Sequence, residues 1–121
     1  MRAAMRPPVQ DSAVAKVNVL GVPQELLDTY GAVSEEVARA MAEGARRITG
    51  ADLAVSVTGV AGPDSDDRGN PVGLVFIGLA TPDGTFCRRM TPARRTRERI
   101  QEMASNHAYD VMRRYLTGLP I

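Results

Sequence analysis

The segment LAVSVTGVAGPDSDDRGNPVG, residues 53–73, decides how the chain folds. Leu53, Val55 and Val57 alternate with Ala54 and Ser56, the period of two expected of a strand, with small residues on one face. The strand runs into Thr58-Gly59, and Ala61-Gly62-Pro63 follows. Glycine lacks a Cβ, so the backbone at Gly59 and Gly62 can take positive φ or approach a ligand closely. Small residues at the end of a buried strand are where open α/β sheets bind ligands. A plain glycine-rich turn has the same spacing, so the pattern alone does not separate a binding loop from a turn.

Downstream, VGLVFIGLA, residues 72–80, is nearly continuous in apolar residues, as in a central strand covered on both faces. Pro82-Asp83-Gly84 signals a turn, and residues 85–90 return as an antiparallel strand, where Cys87 reads as packed rather than reactive. Thr96 caps a last helix from Arg97 to about residue 117, with Ile100, Met103, Ala104, Val111, Met112 and Tyr115 on one face and Gly118 as its stop. His107 falls among these and reads as a partly packed histidine. The arginines between Arg88 and Arg99 read by default as a solvated face. An anion site at the start of the last helix is the sharper option, since free N–H groups and arginines both attract phosphate.

Upstream, Ser34 caps a helix that opens with Glu35 and Glu36 and ends at Gly50, with Val37, Met41, Ala45 and Ile48 as its apolar stripe. Pro23 opens a shorter helix over residues 24–30, carrying Leu26, Leu27 and Tyr30 and stopped by Gly31. Asp11 or Ser12 caps a weakly periodic piece that contains Lys16 and runs to about Leu20. Residues 1–11 show no packing pattern and read as an atypical tail ahead of one domain over residues 12–121.

Composition excludes several classes of function. A formal net charge of +1 gives no general pull toward nucleic acid or a membrane surface. No apolar run reaches the roughly 18 residues of a membrane-spanning helix. MRAAMRPPVQ lacks the hydrophobic stretch of a secretory signal. The lone Cys87 cannot form an internal disulfide, which fits a reducing cytoplasm, and with the lone His107 it offers no metal-ligand cluster.

Lys16, LGVPQELL (residues 20–27), GAVSEEVARAMAEGARR (residues 31–47), TGVAGP (residues 58–63) and PVG (residues 71–73), in this order, resemble the CinA C-terminal domain family. That family contains the nicotinamide-nucleotide amidohydrolases. The likeness covers about residues 12–117, and the combination is specific where each piece alone is weak. It implies a three-layer α/β/α domain. It also implies hydrolysis of nicotinamide mononucleotide to nicotinate mononucleotide and ammonia, without metal or cofactor. The family's nucleophile is a serine in a Glu-Ser-Cys-Thr-Gly-Gly motif, activated by a tyrosine and a lysine five residues apart. A lysine acts as a base when desolvation and its neighbours lower its pKa.

Carried over residue by residue, the likeness makes Lys16 the candidate base. It makes Thr58, Gly59, Ala61, Gly62 and Pro63 the substrate-side loop, whose backbone donors would hold a carbonyl oxygen or a phosphate. A family Gly-Asp-Arg at the start of the last helix aligns with Arg95, Thr96 and Arg97. Arg97 keeps the arginine and Thr96 replaces the aspartate as cap, with Arg95 the alternative if the register slips. Three departures stand out. The tyrosine position holds Asp11, Ser12 matches a serine that is not the nucleophile, and no Ser-Cys-Thr-Gly-Gly occurs in the 121 residues. The usually glycine-rich loop after Pro63 is acidic here, with Asp64, Asp66 and Asp67 expected to repel an anion mildly.

The chain thus reads as N-terminally truncated relative to its family, an incomplete sheet of about three strands. Missing neighbours expose backbone donors, acceptors and apolar faces. At about 25 cal/mol per Å², a few hundred Å² left wet costs several kcal/mol. Self-association into a homo-oligomer or pairing with another chain is the expected remedy. The alternative to an amidohydrolase is an inactive, nucleotide-binding or oligomer-forming remnant.

Overall fold

The computed structural model describes residues 3–4 and 20–121 of the chain. In order these form β1 (Ala3–Ala4), α1 (Gln24–Tyr30), α2 (Glu35–Thr49), β2 (Leu53–Gly59), β3 (Val75–Thr81), β4 (Gly84–Met90) and α3 (Arg97–Leu116). The strands make one sheet in the order β1-β2-β3-β4. β2, β3 and β4 are an antiparallel meander in which Val57 faces Ile77 and Gly78 faces Cys87. The apolar run therefore does supply an inner strand, β3. At the other edge β1 pairs in parallel with Leu53 and Ala54 of β2. Two alanines carry no alternation, so nothing in their side chains announces a strand.

The alternation in β2 and β3 sorts two faces. Leu53, Val75, Ile77 and Leu79, with Met90, pack against Ile100, Ala104, Ala108, Val111 and Met112 of α3. The opposite face meets α2 through small groups. Ser56 donates its hydroxyl to the Ala38 carbonyl of α2 at 2.6 Å. A Cβ at Gly78 would stand 2.4 Å from that same carbonyl oxygen, so α2 lies on the sheet at a separation only glycine permits. The result is the α/β/α layering, with α2 on one side and α3 on the other.

The helix ends follow the capping chemistry of the sequence. The Ser34 hydroxyl accepts from the Val37 amide at 3.3 Å, and the Thr96 hydroxyl accepts from the Arg99 amide at 3.1 Å. Gly50 closes α2 in the left-handed conformation. The stripe of α2 differs at one residue, since Ile48 is 54% exposed. The buried residues are Val37, Ala38, Met41, Ala42 and Gly44; Val37 and Met41 pack with Leu20, Val22 and Leu27, and a Cβ at Gly44 would stand 1.8 Å from the Leu20 carbonyl oxygen. Among the described residues, no helix is long and apolar enough to cross a membrane.

Candidate functional site

Three stretches meet where β2 ends. The first is the turn after β2. Val60 donates its amide to the Leu74 carbonyl at 2.9 Å and accepts from the Gly73 amide at 2.8 Å. This pair of bonds clamps residues 58–63 to the Pro71-Val72-Gly73 stretch. Gly73 has φ +90°, and a Cβ there would lie 2.5 Å from the Ala93 carbonyl oxygen, so the third stretch, residues 91–97, passes directly over it. Buried Val33, Val60 and Leu74 form the apolar floor beneath the clamp.

The residues of the turn after β2 divide by their contacts. Thr58 is buried, and its hydroxyl donates to the Ala32 carbonyl at 2.7 Å, seating the end of β2 against the start of α2. Gly59 permits close pairing, since a Cβ there would stand 2.6 Å from Val75. Ala61 and Gly62 are partly exposed and Pro63 is exposed. Among the described residues the amides of Ala61 and Gly62 donate to no acceptor. Arg97, in the first turn of α3, donates from Nη1 to the Gly62 carbonyl at 3.2 Å across 35 residues of sequence. Of the two registers left open for the family arginine, Arg97 is the one whose guanidinium reaches the loop.

Beside this contact lies an open depression of about 530 Å³, lined by Pro63, Asp64, Ser65, Pro71, Val72, Pro92, Ala93 and Arg94. Arg94 is a lining residue that sequence reasoning left inside an undifferentiated arginine run; only the return of residues 91–97 over Gly73 singles it out. Of the three loop aspartates, Asp64 lines the depression. Asp66 is turned into the loop. Partial burial raises its pKa, but hydrogen bonds from the Asn70 side chain and the Asn70 and Arg68 amides outweigh that and hold it below the ordinary carboxylate value. Lys16, Asp11 and Ser12 lie outside the described residues.

Other titratable residues with shifted pKa values lie on β4 and α3. Asp110 of α3 accepts from Arg88 at 2.8 Å, Arg113 at 2.9 Å and Arg114 at 3.0 Å, tying β4 to α3. These bonds, that from Arg113 first, hold its carboxyl well below the usual range. His107 lies 3.1 Å from Arg88 through Nδ1. Burial, and then the Arg88 charge, push its pKa down, with Asp110 opposing. Cys87 lies half-buried in β4, where burial first and the Glu35 carboxylate second push its thiol up to about 11.

The CinA C-terminal domain family model matches residues 9–116. A CinA-like protein from Desulfovibrio desulfuricans is 46% identical over 109 residues, covering 88% of this chain and 26% of its own length. Among solved structures, the competence damage-inducible protein A (ComA) from Klebsiella pneumoniae superposes with a TM-score of 0.82 at 32% identity, over 88% of this chain and 65% of that one. The competence/damage inducible protein CihA from Agrobacterium tumefaciens does so with a TM-score of 0.78 at 35% identity, over 84% of this chain and 62% of that one. The chain thus spans about a quarter of the length of the first of these, and under two thirds of each of the solved chains.

Proposed function

The chain belongs to the CinA C-terminal domain family, and from that premise we propose that it carries the substrate-side half of a nicotinamide-nucleotide amidohydrolase pocket. The family reaction is nicotinamide mononucleotide plus water to nicotinate mononucleotide plus ammonia. In this reading these 121 residues bind the nucleotide, and hydrolysis calls for the Ser-Cys-Thr-Gly-Gly nucleophile motif that does not occur among them.

The observation that carries the reading is the contact of Arg97 with the Gly62 carbonyl at 3.2 Å. It joins the loop to the helix start, which the family likeness names separately, next to the depression that Pro63 lines. There a guanidinium and the start of a helix dipole favour the phosphate. The Ala61 and Gly62 amides supply further donors for a phosphate or amide oxygen. Lys16 is the residue that would serve as base to a supplied nucleophile.

Ammonia release from nicotinamide mononucleotide tests the catalytic half of the proposal. The chain alone should show no turnover, and turnover abolished by Lys16→Ala would overturn the claim of inactivity. A second reading, assembly without a ligand, is favoured by the edge of β2. Among the described residues, β1 covers only Leu53 and Ala54 of it. Sedimentation decides this one: a monomer at micromolar concentration refutes assembly through that edge.

A further inference from the structure

The loop between Pro63 and Pro71 is more ordered than its composition suggests. The Asp66 carboxylate accepts from the amides of Arg68 at 3.0 Å and Asn70 at 2.8 Å, and from the Asn70 side chain at 2.7 Å. The Gly69 amide donates to the Asp66 carbonyl at 3.1 Å. Folded this way, the loop sends Arg68 across to the carbonyl end of α1. Its guanidinium donates to the Asp28 carbonyl at 2.6 Å and the Thr29 carbonyl at 3.3 Å, with the Leu27 carbonyl at 3.5 Å.

That end of α1 needs a cation. The helix has no basic residue in its last turn. Asp28 adds a negative charge where the dipole is already negative. Arg68 supplies the missing charge from some 40 residues away in sequence. Gly31 makes room for it, since a Cβ there would lie 2.6 Å from Arg68 Cδ. The loop is therefore held at its base by the Val60 clamp and at mid-span by α1. Its first residue, Asp64, follows the Gly62-Pro63 turn that meets Arg97.

We propose that Arg68 is a positioning residue for the ligand: by latching residues 64–70 onto α1 it fixes the turn at residues 61–63 and the rim of the adjoining depression. This rests on the nucleotide reading above. Arg68 acts through the loop and touches no ligand. Without the latch, the ligand must order the loop as it binds, which weakens affinity.

The experiment compares the full chain with Arg68→Gln and Arg68→Lys in two measurements, amide hydrogen exchange and calorimetric titration with nicotinamide mononucleotide. In Arg68→Gln, exchange at amides 68 and 70 should speed up by about tenfold and the Kd weaken by about fivefold. Arg68→Lys should recover most of both, since an ammonium still donates to helix-end carbonyls. An unchanged Kd in Arg68→Gln overturns the positioning role, whatever the exchange does. Unchanged exchange overturns the latch itself. A wild-type chain that takes up no nucleotide overturns the functional reading instead, and the exchange measurement then judges the latch by itself.

Discussion

Replacing Gly78 with alanine tests how α2 is seated on the sheet. The added Cβ would lie 2.4 Å from the Ala38 carbonyl oxygen and 2.6 Å from the Ser56 hydroxyl oxygen. Normal contact needs roughly another ångström, so either α2 lifts or β3 bends. Overpacking of this kind costs about 1–3 kcal/mol. Lifting α2 also breaks the bond from Ser56 to Ala38, worth about 1 kcal/mol. A total of about 2–4 kcal/mol corresponds to a fall in Tm of roughly 8–16 °C for a domain of this size. Thermal unfolding followed by circular dichroism measures it. Ser56→Ala alone should cost about 1 kcal/mol or less. The double variant should recover little, because the backbone carbonyl still blocks the methyl. A Gly78→Ala chain with an unchanged Tm would refute the close seating of α2 on β3.

Other expectations follow from the same contacts. Arg97→Ala should weaken nucleotide binding by about tenfold or more, the worth of a hydrogen bond to a charged group, with Tm little changed; equal affinity would remove Arg97 from the site. Asp110 titrates below its ordinary value of 3.8 in the folded chain, so the stability it contributes is present above that pH and is lost as pH falls through and below it. Asp110→Asn should flatten the acid limb of a stability-against-pH curve, and a limb identical to wild type would contradict the assignment. The Cys87 thiol, raised to about 11, should react slowly with a disulfide reagent at pH 8 in the native chain and quickly in denaturant. Native labelling at the rate of a free thiol would show that β4 does not shield it.

Much of this architecture is legible in local chemistry. The alternation from Leu53 to Val57, the apolar run that becomes β3, and the hydroxyl caps at Ser34 and Thr96 each act within a few residues, so sequence spacing reveals them. Contacts between distant segments are hidden. Nothing near Arg68 says that it closes a helix some 40 residues earlier. Nothing near Asp66 says that its charge belongs to its own loop rather than to a field repelling an anion. The close seating of α2 on the sheet is set by Gly78, which lies on another element. At the site, the family likeness names the loop and the arginine, while their meeting at Gly62 depends on Gly73 letting residues 91–97 cross over it.

Calorimetric titration of the intact chain with nicotinamide mononucleotide tests the central claim most directly. Saturable heat with one site per chain, diminished in Arg97→Ala, is the predicted result. A flat isotherm, with no thermal shift at millimolar nucleotide, would contradict it.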